Sequence, residues 1–229
     1  MSRPLLVVRP EPGNSFTVAS ARALGLTAVA APLFEIEPVG WTEPSVERFD
    51  ALLLGSGNAI RYGGPGLAAL TELPAYTVGE ATADAARQAG FDVAGSGSSG
   101  LAELIPKLAA DGRRRVLRMA GEEHVELDPP PGMSVETVVA YRARALALPE
   151  AARASLENKA VVLLHSAAAA RHFAALCERA RLAKSDIALA CLGARIAEAA
   201  GSGWHEVRIA PDPTDSALLA LAADMCQSP

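Results

Sequence analysis

Aromatic side chains are scarce in this chain of 229 residues: 4% are aromatic although 50% are hydrophobic. Alanine, leucine and valine must therefore build the core, which suits helices laid on sheets. Lysine is nearly missing, since 18 of the 21 basic residues are arginine, and the formal net charge is -5. The basic stripe of a general nucleic-acid binder is lacking. The three cysteines, Cys177, Cys191 and Cys226, form no C-x-x-C pair, which argues against a disulfide framework and fits a reduced, cytoplasmic compartment. No stretch nears the roughly 20 apolar residues of a membrane helix, and none has the make-up of a signal peptide. A soluble intracellular protein is expected, with neither nucleic acid nor membrane as partner.

Several chemistries lack their signatures too. The stretch LLLGSGNAIR (52–61) could open a dinucleotide loop, but Ile60 stands where the third glycine belongs. No G-x-x-x-x-G-K-[ST] and no G-x-S-x-G occurs, so neither a phosphate-binding loop of that kind nor a hydrolase elbow is supported. His124, His165, His172 and His205 have no ligand-like spacing with cysteine or carboxylate. No metal site and no nucleotide-binding loop are expected.

What is present is an alternation. LLVV, AVAAPL, ALLL, AYTV, VLRM, VETVVAY, VVLL, IALACL and EVRIA read as strands. The helix-like segments NSFTVASARALG, NAIRYGGPGLAAL, EATADAARQAG, SGLAELIPKLAA, AAAARHFAALCERA, RIAEAAG and TDSALLALAADM lie between them. That pattern predicts an α/β fold with parallel sheets covered by helices on both faces.

The chain also repeats itself. LLLGSGNAIR matches VLLHSAAAAR at an offset of 110, pairing Ser56 with Ser166 and Arg61 with Arg171. VGEATADAARQAG resembles LGARIAEAAGSG in the same way, and residues 113–122 find their best partner at the amino terminus, in PLLVVRPEPG (4–13). One set of units is thus contiguous and the other split, as when one domain is inserted in another. The expected organisation is two similar doubly wound domains. Residues 1–33 and 145–229 form a discontinuous one and 37–139 the inserted one, with 34–36 and 140–144 as a two-stranded β linker.

In such sheets ligands bind beyond the carboxyl ends of the strands, where helix starts offer free N–H groups to anions. The turns predicted to lie there carry Arg9, then Ser56, Gly57 and Asn58, then Gly79 and Thr82, then Ser98 and Ser99. Gly121, His165, Ser166, Gly193 and Thr214 complete the set. Two facing domains so furnished would make an inter-domain cleft for a polyanionic small molecule.

The stretches VVRP, PLFEIEP (32–38), LLLGSGNAIR, YTVGEATADAARQAGF (76–91), VLRMAGE (116–122), VVAYRA (138–143), LLHS and APDPTDSALL (210–219) carry a resemblance. The chain resembles the uroporphyrinogen-III synthases, over nearly its whole length and in family order. The resemblance implies two α/β domains on a two-stranded linker, no metal or organic cofactor, and closure of linear hydroxymethylbilane to uroporphyrinogen III with inversion of the terminal pyrrole ring. It implies that Ser56, Thr82, Ser166 and Thr214 line the cleft and meet substrate carboxylates or main chain. A monomer is expected. Tyr141 is the candidate proton donor, because a phenol (pKa ~10) is protonated at neutral pH. The chain departs from the family at Gly55 and Ala167, where a hydroxyl residue and a proline are usual, and Ile196 stands at the repeat position of Thr82. A reading from another class is a non-catalytic two-domain sensor of an anionic small molecule, though no basic recognition helix is visible.

Overall fold

The computed structural model describes residues 3–97 and 100–227, without the side chain of Ala102. The chain divides into two compact units, one of residues 1–35 with 144–229 and the other of residues 36–143.

Unit 1 begins with strand β1 (Leu5–Val7), helix α1 (Gly13–Ala23) and strand β2 (Ala28–Ala30). After the excursion into unit 2 it continues with α5 (Glu150–Glu157), β9 (Val161–Leu164), α6 (Ala167–Arg179), β10 (Ala188–Cys191), α7 (Ala194–Ala200), β11 (Glu206–Ile209) and α8 (Asp215–Gln227). Its sheet is parallel throughout, in the order β11-β10-β9-β1-β2. One face packs Phe173, Leu176 and Leu156; the other packs Leu218, Leu219 and Met225 of α8 with Val18 of α1. Because both faces are covered, β9 reads VVLL and every residue of it is buried.

Unit 2 holds β3 (Phe34–Pro38), β4 (Ala51–Leu54), α2 (Gly57–Tyr62), β5 (Ala75–Val78), α3 (Glu80–Gln88), β6 (Val93–Gly97), α4 (Leu101–Ala110), β7 (Arg115–Gly121) and β8 (Ser134–Ala145). Its sheet runs β3-β8-β7-β4-β5-β6. Pairs β4–β5, β4–β7, β5–β6 and β7–β8 are parallel. Read from β6 to β8, this order reproduces that of unit 1 from β11 to β2, with β4 in the place of β9 and β7 in the place of β1. The two halves of the repeat are therefore the same sheet wound twice. In both units the winding reverses between the two matched strands, β9 and β1 in one and β4 and β7 in the other.

Strands β3 and β8 form a ribbon that carries both chain crossings. Val39 N–H donates to Ala140 O at 2.9 Å, and Leu146 N–H to Leu33 O at 2.9 Å, so numbers rise on one strand as they fall on the other. Glu37 pairs with Arg142 at 2.9 Å, and Glu35 pairs with Arg144. Exposed cross-strand ion pairs of this kind stabilise by at most about 1 kcal/mol each and serve chiefly to fix register.

Two local expectations need correction. NAIRYGGPGLAAL is not one helix: α2 ends at Tyr62, and a 3-10 segment follows over Pro65–Glu72. Gly64 has φ +73°, a left-handed turn that favours glycine, and Pro65 then removes a backbone donor. Helix α5 was not anticipated. Its apolar positions Ala152 and Leu156 are four apart and buried, but the segment is short and alanine-rich, so its periodicity is faint.

Candidate active site

In unit 2 the turn after β4 and the end of β7 meet at the point where the winding reverses. A pocket of ≈ 120 Å³ opens there, lined by Gly55, Ser56, Leu101, Arg118, Gly121, Glu123, His124 and Tyr141 among others. Three of the residues expected from sequence, Ser56, Gly121 and Tyr141, are thus brought together.

Tyr141 reaches this pocket through an irregularity. β7 and β8 pair in step from Arg115↔Ser134 to Ala120↔Val139, and then Gly121 opposes Tyr141, so that Ala140 is skipped. Alternation would send Ala140 and Tyr141 to opposite faces; the bulge lets both pack against the cluster of Leu52, Leu54, Leu117 and Met119. The ring lies over the backbone of Gly121. A Cβ there would sit 2.7 Å from Tyr141 Cε2 and 2.9 Å from Cζ, so only glycine permits this approach. The Glu122 N–H donates to Tyr141 O at 2.8 Å, closing the turn.

Arg118 escaped the sequence reading. It is 4% exposed, yet among the described residues it donates a single hydrogen bond, from Nη1 to Val125 O at 2.7 Å. No carboxylate within ion-pair distance of it is found among the described residues. Burial pushes its guanidinium below the usual arginine range, with the charge of Glu126 working in the opposite direction. His124 Nδ1–H donates to Gly121 O at 2.8 Å, which leaves Nε2 turned away from that bond.

Ser56 and Ser166 occupy matched places as helix caps. Ser56 Oγ accepts from Asn58 N–H at 3.2 Å and Ser166 Oγ accepts from Ala169 N–H at 3.1 Å. Each hydroxyl satisfies its own helix and keeps its own proton to donate. Asn58 accepts a long bond from Arg61 at 3.4 Å, and Gly57 lies against the same guanidinium. Gly79 precedes α3 with φ +77°, and its carbonyl accepts from Thr82 and Ala83. Thr82 is buried in α3 and does not line the pocket. Ser98 and Ser99 lie outside the described residues.

In unit 1 the equivalent place is filled by an ion network. Arg9 Nη1 donates to both oxygens of Asp215, at 2.9 and 3.0 Å, and Thr17 Oγ1 donates to Asp215 Oδ2 at 2.9 Å. His165, 9% exposed at its side chain, adds Nε2 to Asp215 Oδ1 at 3.0 Å, while its Nδ1 is buried without a partner among the described residues. The guanidinium of Arg9 covers Gly13, where a Cβ would lie 2.4 Å from Nε. The His165 bond, with those of Thr17 and the charge of Arg9 and against the opposing effect of burial, lowers the Asp215 carboxyl to about 2. Arg9 and His165 are thus gathered as expected of neighbours at strand ends, but around Asp215, which sequence reading missed. Its signal was an acidic residue one place after Thr214, at the first turn of a helix. Thr214 caps α8 by accepting from Ala217 N–H at 3.2 Å, and Gly193 caps α7 in an extended conformation that any residue could adopt.

The sequence pattern of the family described as HEM4, uroporphyrinogen-III synthase HemD, matches residues 15–220. A comparison with curated proteins returns no match. Among solved structures, the uroporphyrinogen-III synthetase of Helicobacter pylori is 20% identical and superposes with a TM-score of 0.66, covering 97% of this chain and 99% of that one. A mutant uroporphyrinogen III synthase of Thermus thermophilus is 16% identical with a TM-score of 0.53, covering 98% and 100%. At those identities the likeness speaks for the fold, and the family pattern carries the assignment. It spans nearly the whole chain, which belongs to the uroporphyrinogen-III synthase family.

Proposed function

We propose that this enzyme closes hydroxymethylbilane to uroporphyrinogen III with Tyr141 as proton donor, beside the unit 2 pocket. The observation that carries the reading is the bulge at Ala140, which spends regular strand pairing to lay Tyr141 on Gly121 at the rim of that pocket. The phenol gives its proton to the terminal hydroxyl, the C–O bond breaks, and water leaves. The resulting azafulvene cation is attacked by the substituted carbon of the terminal ring. The spiro intermediate fragments and recloses with that ring inverted, and the ring proton released at the end restores the phenol. Water is the one by-product, and no redox partner is required.

The substrate is a polycarboxylate, so the protein's larger task is to hold it in a conformation that outruns uncatalysed closure. Ser56, Gly57, Asn58, Gly79, Ser98, Ser99 and Gly121 in unit 2 would meet substrate carboxylates, as would Arg9, His165, Ser166, Gly193 and Thr214 in unit 1, whereas buried Thr82 is left to main-chain contact. Small hydroxyls and backbone amides suit a chain that is itself net acidic. The protein works as a cytoplasmic monomer in this reading. Three buried, unpaired cysteines support a reducing compartment, and among the described residues no helix is long and apolar enough to cross a membrane.

Tyr141→Phe tests the donor. Turnover should fall at least about tenfold, and by about 100-fold or more where the phenol makes the usual contribution of general acid catalysis; full activity would leave Tyr141 a packing residue.

A further inference from the structure

The two sheets can be compared residue by residue, and at one place they differ in kind. Leu53 matches Leu163 in the repeat. On the neighbouring strand Leu53 pairs with Arg118, whereas Leu163 pairs with Val7. Arg9 instead corresponds to Ala120 in that register. Unit 2 has therefore buried an arginine where unit 1 has a fully buried valine. Burying a charge is costly unless it is paired, and the pairing differs too. Arg9 is neutralised by Asp215, while among the described residues Arg118 has one backbone carbonyl for its five N–H donors. A buried guanidinium at the wall of an open pocket, with no ion-pair partner among the described residues, is arranged for a guest that brings the negative charge.

The pocket limits that guest. At ≈ 120 Å³ it falls well below the roughly 300–1,000 Å³ of a site for a whole drug-sized ligand. It suits one carboxyalkyl arm. Glu123 also lines it but is exposed, so its carboxylate remains in water.

We infer that Arg118 is the receptor for one carboxylate arm of the substrate, which it grips through the unused side of its fork beside Tyr141. This rests on the proposed reaction and adds a positioning contact to it. A carboxylate clamped there would fix the attached pyrrole relative to the phenol, which is what a reaction decided by ring orientation demands.

The test uses the full chain with Arg118→Met and Arg118→Lys, supplied with freshly made hydroxymethylbilane. Readouts are KM, kcat, the ratio of type III to type I product, the Kd for uroporphyrin III by fluorescence, and Tm. For Arg118→Met, KM and Kd should rise roughly 10- to 100-fold, as for loss of a charged hydrogen bond. The type I fraction should increase, and Tm should hold or rise, because an apolar side chain of similar length relieves an unpaired buried charge. Arg118→Lys keeps the charge but loses the fork, and should recover part of the affinity. Unchanged KM and Kd would overturn the assignment, as would a loss of activity that only tracks a loss of Tm. Should Arg118→Met fail to fold, Arg118→Lys decides: wild-type KM overturns, and a rise of about tenfold at unchanged Tm supports. A wild-type protein that forms type III product while Arg118→Met behaves identically refutes only this role; a wild-type protein that forms type I alone refutes the proposed reaction itself.

Discussion

Gly121→Ala is a substitution whose effect can be worked from the structure. The new methyl carbon would stand 2.7 Å from Tyr141 Cε2, where ordinary contact begins at 3.4 Å, so the ring must retreat by about 0.7 Å or swing away. Overpacking of this sort costs about 1–3 kcal/mol of stability where the neighbours resist. Here the ring is only half-buried, and the lower end applies. Catalysis should suffer more, because a misplacement near 1 Å can cost on the order of 100-fold. The expected outcome is a loss of about 1 kcal/mol in urea unfolding and a 10- to 100-fold drop in the initial rate of type III formation. The double mutant settles the route. In the Tyr141→Phe background the donor is already gone, so Gly121→Ala should cost little further rate. A Gly121→Ala protein with wild-type rate, or the same fold loss in both backgrounds, would refute the reasoning that Gly121 acts through the Tyr141 phenol.

Asp215 should make stability depend on acid. Its carboxyl lies near 2 in the fold against ~3.9 unfolded, so its contribution is complete above pH ~4 and is lost as pH falls toward 2. The shift alone would imply roughly 2.5 kcal/mol, but the side chain is 42% exposed and screening reduces this to about 1 kcal/mol; Asp215→Asn should flatten urea midpoints across that pH window, and an unchanged slope would contradict the network. Burial pushes the Cys177 thiol up to about 12, and Cys191 and Cys226 to about 11, so iodoacetamide at pH 7 should label none of them in the native protein and all three after denaturation. Ser166→Ala removes the cap of α6 and should cost about 1 kcal/mol in equilibrium unfolding, with no change in cost when the salt concentration is raised.

Much of this was legible in the sequence for a physical reason. ALLL and VVLL can only be strands covered on both faces, and their recurrence at a fixed offset, each followed by a capping serine, exposed the repeat. The split arrangement of the two domains followed from which units matched. The hidden features share another reason: each depends on what covers a side chain from a distant segment. In VLRM, alternation assigns Arg118 to the face opposite Leu117 and Met119, and a charged residue there reads as solvent-facing. It is buried because that face packs Leu104 and Leu108 of α4. The bulge at Ala140 leaves no mark in VVAYRA, since neither alanine nor tyrosine is disfavoured in a regular strand. Asp215 reads as an ordinary first-turn acid until the ends of β1 and β9 bring Arg9 and His165 to it.

The most direct test of the central claim is the isomer of the product. Hydroxymethylbilane closes by itself to the type I macrocycle, so the purified protein is added in catalytic amount, the products are oxidised, and the two uroporphyrin isomers are resolved by chromatography. The account predicts that type III dominates and that its yield rises with enzyme. Type I alone, formed at the rate seen without protein, would contradict it.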